Sequence, residues 1–318
     1  MINKLYSKFI NFIRKNLIYI IVMAIVISIF NVPVAYNIEA SGGLLDLKDK
    51  VVIKNSFNSK GSLNLTYVSE IKGNVLTFIV AKLNRNWDLI KKEDKKIEQA
   101  DKKISRLALN TSFNNAQYVA YKALGKEINI INTKIYVVHI DEDANTNLNT
   151  MDLIKKVNGK NLNSLEEYVE IVKSANRGDK INIEVEGDKE KKYVEVKENN
   201  GLNNTLLYLI CEYVYDTSDV KFNFNSNEYG PSGGLMIALS IYDSFTKEDL
   251  TKGLKVAGTG TIEMDGTVGA IDGVKHKLRG AVKNNADIFL VPTLNYDEAI
   301  EEKEKNNYKI KIVKIEKF

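Results

Sequence analysis

One serine lies in a sequence setting that suits a nucleophile. Ser232 is part of Tyr229-Gly230-Pro231-Ser232-Gly233-Gly234, which runs directly into the apolar residues 235–239. This pattern predicts a tight glycine turn that places Ser232 at the start of a buried helix. The first N–H groups of a helix carry partial positive charge, so they can stabilise the oxyanion that forms when a serine attacks a carbonyl carbon. A serine that only caps a helix produces the same pattern, so this motif alone leaves both interpretations open.

A catalytic serine needs a base, and the sequence supplies few histidines. Only His139 and His276 occur, whereas Lys and Arg together number 45. A lysine can act as the base where burial disfavours its charged form. Lys277 fits this requirement best, because the residues one helical turn away are uncharged. These residues are Gly273, Val274, Gly280 and Ala281. Lys275 and Lys283 have charged residues at the same spacings, which predicts that their side chains are solvated.

Several motifs in order resemble the proteolytic domain of the Lon family. They are residues 230–234, Val256-Ala257-Gly258-Thr259-Gly260, the stretch from Gly266-Thr267-Val268-Gly269 to Lys275-His276-Lys277, and Phe289-Leu290-Val291-Pro292. The resemblance implies that Ser232 is the nucleophile and that Lys277, 277 − 232 = 45 residues later, is the base. It also implies that Thr259 helps to hold the lysine and the site. The residues that would shape the turn are Gly230, Pro231 and Gly233.

The sequence departs from the family pattern at three positions. Gly233 replaces an alanine, Ala270 replaces a proline, and Asp272 replaces the first glycine of a Gly-Gly pair. Asp272 bears most on the chemistry, because a carboxylate beside Lys277 would favour the ammonium form and weaken the base. We therefore expect the side chain of Asp272 to point to solvent if Lys277 is the base.

The N-terminal residues have the composition of a membrane anchor. Residues 16–38 carry no charge, and as a helix they would be about 34 Å long against a hydrocarbon core of roughly 30 Å. Residues 1–15, which contain Lys4, Lys8, Arg14 and Lys15, are predicted to be cytoplasmic. The rest of the chain is then predicted to lie outside. A cleaved signal peptide is the alternative, but the apolar run is long for one and no clear cleavage site follows it.

Residues 40–130 are predicted to form an α/β N-terminal ectodomain region. Residues 63–68 and 75–80 have the composition of strands. Residues 88–107 are rich in charge with apolar residues near helical spacing, which predicts a solvated amphipathic helix. A second helix is predicted over residues 115–124, ending at Gly125.

Residues 131–199 resemble a PDZ domain in the order of their predicted elements. Strands are predicted at 134–140 and 153–157, the second followed by the turn Asn158-Gly159. A helix that begins after Ser164 precedes a hairpin. Met151 stands where that family has a glycine, so the turn at this position is expected to differ. PDZ domains bind extended peptides by strand addition; a module that acts only as a spacer is the alternative.

The composition argues against several other classes of protein. Outside residues 1–38 the charge is formally neutral, with 41 basic and 41 acidic residues, so nucleic-acid binding is not expected. No phosphate-binding loop ending in Gly-Lys-Ser or Gly-Lys-Thr occurs, and we expect no nucleotide. With two histidines we expect no metal, and no cofactor is indicated. Cys211, the single cysteine, is expected to be a small buried hydrophobe instead of a reactive thiol.

The complete layout predicts an α+β chain in which a transmembrane helix and a PDZ-like domain precede a Lon-type proteolytic domain at 200–318. It is similar to the SepM-like (YlbL-like) peptidases. The resemblance implies an ATP-independent serine endopeptidase that processes secreted or membrane-bound peptides and proteins, and it makes a homo-oligomer possible. The alternative is a membrane-tethered scaffold that binds extended peptides and has lost catalysis, for which Asp272 and Met151 are the supporting features.

Overall fold

The structure is a computed structural model that describes residues 2–54, 56–57, 59–93, 95–197, 204–217 and 219–318. It divides into two compact units, the first formed by Met1–Gly42 and Val68–Glu93, the second by Gly43–Tyr67 and Asp94–Phe318. The helices are α1 (Ile2–Phe30), α2 (Leu47–Lys50), α3 (Val75–Leu83), α4 (Lys95–Ala123), α5 (Leu165–Ser174), α6 (Gly234–Phe245), α7 (Val274–Lys283) and α8 (Tyr296–Lys305). The strands are β1 (Pro33–Asp46), β2 (Val51–Ile53), β3 (Ser62–Asn74), β4 (Asp88–Lys91), β5 (Ile130–Ile140), β6 (Leu153–Val157), β7 (Lys160–Asn161), β8 (Lys180–Val185), β9 (Lys192–Glu195), β10 (Leu207–Tyr215), β11 (Val220–Phe222), β12 (Lys255–Gly258), β13 (Ile288–Pro292) and β14 (Lys311–Ile315).

The first unit begins with α1, whose segment Lys8–Phe30 is long and apolar enough to cross a membrane. A signal sequence near an N-terminus has the same length and composition, so these properties alone do not separate the two. The predicted span of residues 16–38 is wrong at its C-terminal end, because the helix stops at Phe30 and β1 begins at Pro33. Proline disfavours the helical conformation of the residue before it, here Val32, which explains the early end.

The first unit also contains a helix where the sequence predicted a strand. Residues 75–80 lie in α3, because Asn74 and Thr77 form a capping box in which each side chain accepts a hydrogen bond from the other residue's backbone N–H, both at 2.8 Å. A continuous apolar run fits a strand or a buried helix equally well, so its composition did not decide between them. β4 pairs antiparallel with β1, with Tyr36 opposite Lys91.

The second unit contains a parallel sheet that carries the candidate site. β12 lies between β3 and β13, β14 pairs with β13, and all these pairs are parallel. Val256 is aligned with Leu63 of β3, which confirms the strand predicted at residues 63–68. The core around α6 and this sheet includes the buried apolar side chains of Leu235, Met236 and Ile237.

Most of the residues in the helices predicted over 88–107 and 115–124 belong to one continuous helix, α4. Residues 88–91 form β4, and α4 then runs for 29 residues to Ala123. The C-terminal half of α4 is buried, with Ala116 and Ala120 fully inside the core that contains α6. Small residues on this face allow the two helices to approach closely. α4 ends at Ala123, close to the predicted end at residue 124. Gly125 follows with a positive φ of 65°, a conformation that suits glycine.

A second sheet in this unit has its own core. The strands lie in the order β10-β5-β6-β8-β9, with β7 paired to β6, and α5 packs on them. The predicted strand at 153–157, the turn at Asn158-Gly159 and the helix capped by Ser164 are confirmed. β10 pairs along its length with β5, although residues from 200 onward were predicted to begin the next domain. The domain boundaries stay a prediction.

Met151 adopts the backbone conformation that a glycine would favour, with φ at 75°. Its N–H donates to the carbonyl of Val137 at 2.7 Å, so the neighbouring strand holds it there. Side chains with a Cβ are strained in this region of φ. We expect Met151→Gly to raise the free energy of unfolding by about 1 kcal/mol, measured by denaturant unfolding. Met151→Ala is the matched control, since it removes the side chain but keeps the Cβ. A glycine variant less stable than the alanine variant would contradict this account.

Candidate active site

The turn before α6 presents Ser232 as the sequence predicted. Gly230 has a φ of 96°, which only glycine adopts easily, and its N–H donates to the carbonyl of Ser105 at 3.0 Å. The N–H of Gly234, the first residue of α6, donates to the carbonyl of Pro231 at 3.2 Å. Ser232 is half-buried in this turn. Its side chain therefore stands at the N-terminus of a buried helix.

Two hydrogen bonds hold the backbone of Ser232 against the end of β12. Its carbonyl accepts one from the N–H of Gly260 at 2.8 Å and another from the hydroxyl of Thr259 at 3.0 Å. Thr259 is completely buried, and its N–H donates to the carbonyl of Leu290 in β13. The N–H of Leu235 donates in turn to the carbonyl of Gly260. Thr259 thus holds the backbone of Ser232 in place.

Lys277 is the buried lysine among the three that the sequence compared. It lies on the second turn of α7 and only 5% of it is exposed. The side chain of Lys275 is 41% exposed and lies 3.8 Å from Glu298, and Lys283 is exposed. The expectation from the neighbouring residues is therefore confirmed: uncharged, small neighbours accompany burial of the amine.

The segments that carry Ser232 and Lys277 both contact β12 or the residues directly after it. α6 begins there through the bond from Leu235 to Gly260, and α7 packs on β12. The core between α7 and the sheet contains Ala257 of β12 together with Val274, Leu278 and Ala281 of α7. β12 is therefore next to the segment that carries Ser232 and Thr259 and is also packed against the helix that carries Lys277.

Asp272 lies just before α7 and is exposed to solvent. Gly273 follows it with a φ of 69°, and the N–H of Lys277 donates to the carbonyl of Gly273 at 3.1 Å. The left-handed conformation of Gly273 lets the chain change direction between the loop and α7. The carboxylate is thus placed at the surface while the amine of Lys277 is buried, which is the arrangement that a lysine base requires.

Leu65 of β3 accounts for the glycine at position 233. A Cβ built on Gly233 would lie 3.0 and 3.2 Å from the two terminal methyl groups of Leu65. These distances are shorter than ordinary van der Waals contact. Leu65 thus occupies the space beside the turn that an alanine methyl group would need, and the glycine avoids the contact.

The sequence analysis missed the residues of α4 that hold the site. The hydroxyl of Ser112 donates to the carbonyl of Pro231 at 3.1 Å, and the side-chain amide of Asn115 donates to the carbonyl of Ile262 at 3.0 Å. Arg106 donates to the carbonyls of Asn225 and Glu228, both at 2.9 Å. The signal that could have indicated them is the pair of polar residues at 112 and 115, three apart on a face that is otherwise apolar.

A cavity of about 440 Å³ opens beside Pro231, the residue before Ser232. Its walls come from α4, from the start of α5, from β10 and from residues 261–264. In this lining, Leu165 belongs to α5 and Cys211 belongs to β10 of the second sheet. Met264 lies in the segment that follows β12 of the parallel sheet. The cavity therefore connects the second sheet directly with the loop that carries Ser232.

Cys211 has the surroundings of a structural residue. It lies in β10, and burial raises the pKa of its thiol, which disfavours the thiolate that a nucleophile would need. Among the residues that the structure describes, no group of three or more His, Cys, Asp or Glu side chains could hold a metal ion.

Comparison with protein families finds a match for the segment that carries this site. Residues 210–318 match the Lon protease (S16) C-terminal proteolytic domain. The matched segment contains Ser232, Thr259 and Lys277, and it covers about a third of the chain. Comparison with curated proteins gave no match. The match shows that this segment is similar to a Lon-type proteolytic domain, and it supports a serine peptidase.

Proposed function

We propose that the chain is a serine endopeptidase in which Ser232 is the nucleophile and Lys277 the general base. The observation that supports this proposal is that the backbone of Ser232 is held by Gly260 and Thr259 directly after β12, the strand against which α7 packs. Lys277 lies on α7 and is buried. Burial favours the neutral amine, and only the neutral amine can accept a proton.

The proposed reaction proceeds through an acyl-enzyme. Neutral Lys277 accepts the hydroxyl proton of Ser232 while Oγ bonds to the scissile carbonyl carbon, and backbone N–H groups of the turn stabilise the oxyanion. Lys277 then returns the proton to the leaving amine as the peptide C–N bond breaks, which leaves an ester on Ser232. A water molecule attacks that ester in the same way, with Lys277 accepting its proton and returning it to Oγ.

Thr259 is proposed as a positioning residue in this reaction. Its hydroxyl hydrogen is used in the bond to the carbonyl of Ser232, but the hydroxyl oxygen can still accept a hydrogen bond. We propose that it accepts one from Nζ of Lys277. One side chain would then fix both the backbone of the nucleophile and the direction of the base.

The cavity beside Pro231 supports a path for the substrate. An extended chain that lies along β10 and the start of α5 would reach Ser232 without leaving the surface of the protein. This arrangement fits the proposal that residues 131–199 are a PDZ-like unit that captures peptides. Without a nucleotide-driven motor to unfold them, substrates are expected to be peptides or loosely folded proteins.

The proposed location is the outer face of the cytoplasmic membrane. α1 would cross the membrane with residues 1–15 in the cytoplasm, where the positive charges before the span favour them. The SepM-like layout, in which one membrane helix precedes a PDZ-like and a Lon-like domain, is proposed on the same basis. Secreted or membrane-bound peptides would then be the substrates, and association into a homo-oligomer is part of the same proposal.

A covalent serine-directed probe tests the proposed chemistry on the full-length chain in detergent. We expect a fluorophosphonate to modify Ser232 and no other serine, because Ser232 is the serine for which we propose a neighbouring base and an oxyanion site. Peptide mapping by mass spectrometry locates the label. Nucleotide-free cleavage of an unfolded protein such as casein is measured in the same preparation. If the probe does not label Ser232 and casein stays intact, the chain is a peptide-binding scaffold instead.

A further inference from the structure

α3 is apolar on nearly all sides, yet the protein covers little of it. Seven of its nine residues are apolar, and Ala81 is its only buried residue. The large exposed side chains are Leu76, Ile79, Val80 and Leu83. A helix that is apolar around its circumference normally lies inside a protein or in lipid, because water does not solvate such a surface favourably.

α3 starts where the membrane helix ends. The N–H of Val75 donates to the carbonyl of Val32 at 3.0 Å, and Val32 follows Phe30, the last residue of α1, by two positions. The span Lys8–Phe30 has 23 residues. At 1.5 Å per residue this span covers about 34 Å, so Phe30 would lie at the edge of a hydrocarbon core roughly 30 Å thick. The first turn of α3 would therefore be at the level of the lipid headgroups.

The length of α3 fits a position at the membrane surface. Its nine residues extend for about 14 Å, which is less than half of what is needed to cross the core. A helix of this length and composition suits the boundary between headgroups and acyl chains.

Side chains typical of a membrane interface surround α3. Tyr36 packs on Phe78 with ring centroids 5.5 Å apart, and Trp87 follows α3 in a turn closed by its N–H to the carbonyl of Asn84. Lys82 and Arg85 are exposed. Tyrosine and tryptophan are enriched at the level of the headgroups, and the long basic side chains reach the phosphates from there.

We propose that α3 is embedded in the surface of the membrane that α1 crosses, on the side where β1 leaves α1. A lipid bilayer is the occupant that the structure favours, because α3 is hydrogen-bonded to the chain segment that emerges from it. The proposal rests on the proposed anchor role of α1. It adds a second attachment, so the first unit would be held to the membrane by both α1 and α3.

Tryptophan quenching by brominated lipids tests this proposal. Trp87 is the only tryptophan, so Trp87→Phe provides a background without one. Leu83→Trp in that background reports on α3, and Leu294→Trp is its matched control, because the two leucines are 81% and 80% exposed. Tyr19→Trp reports on α1. Each full-length variant is reconstituted into vesicles of phosphatidylcholine and phosphatidylglycerol, with and without bromine on the acyl chains.

We expect quenching at Leu83→Trp to approach that at Tyr19→Trp and to exceed that at Leu294→Trp at least about twofold. Equal quenching at positions 83 and 294 would overturn the proposal while leaving the anchor intact. Blue-shifted emission at position 83 that bromine does not quench would mean that protein, such as a second copy, covers α3. Absence of quenching at position 19 would instead reject α1 as an anchor. Peptidase activity is not measured in any of these experiments, so the two proposals fail separately.

Discussion

Ser232→Ala is expected to lower peptide-bond cleavage by about 10⁴-fold or more, because no other group can form the acyl-enzyme. The fold should be unaffected, since the hydrogen bonds that hold the turn go to the backbone carbonyl of Ser232. Initial rates of casein cleavage by the full-length chain, followed by release of soluble peptides, measure the effect.

Ser240→Ala is the matched control for this variant. Ser240 lies on the same helix, α6, and is buried away from the turn, so the chemical change is the same while the proposed site is intact. We expect this control to cleave at close to the wild-type rate. Cleavage by Ser232→Ala at the wild-type rate would remove Ser232 as the nucleophile, whatever the control shows.

Lys277→Arg is expected to lower the rate by at least about 10² to 10⁴-fold, the usual contribution of general acid–base catalysis. Arginine keeps the positive charge but does not deprotonate, so it cannot accept the proton of Ser232. The rate of casein cleavage is measured alongside the thermal midpoint of unfolding, because Lys277 is buried and a larger guanidinium group must be accommodated.

Two further variants make the lysine experiment decisive. Lys277→Met has a similar length and no charge, so it should fold well and be equally inactive. Lys275→Arg is the matched control, because its side chain is exposed beside Glu298 and takes no part in the proposed chemistry. An active Lys277→Met enzyme would show that the base lies elsewhere.

The residues that short-range patterns could predict are those of the turn and of α7. The glycines at 230, 233 and 234 predict where α6 begins, and the uncharged neighbours of Lys277 indicate a buried face of α7. Both signals lie within a few residues of the group concerned. The same local reasoning predicts the turn at Asn158-Gly159 and the helix capped by Ser164. Local sequence therefore contained most of the chemistry that we propose.

The contacts that hold the site join residues far apart in the chain, which is why the sequence did not predict them. Ser112 and Asn115 bond to carbonyls 119 and 147 residues away. Nothing near positions 112 and 115 identifies those partners. Likewise, the pairing of β12 with β3 depends on the whole sheet. The error at α3 has a different cause, because a short apolar run does not distinguish a strand from a helix that protein or lipid surrounds.

The parallel pairing of β3 with β12 has a consequence for any attempt to transplant the catalytic portion. The match to the Lon proteolytic domain covers residues 210–318, but the strand beside β12 comes from residues 62–65. Arg106 and Ser112, whose side chains donate hydrogen bonds to the loop that carries Ser232, belong to α4, which also precedes that segment. A fusion built from residues 210–318 alone would expose one edge of β12 and release the loop. A shortened chain that keeps this sheet and loop must therefore include residues 62–65 and α4 as well as residues 210–318.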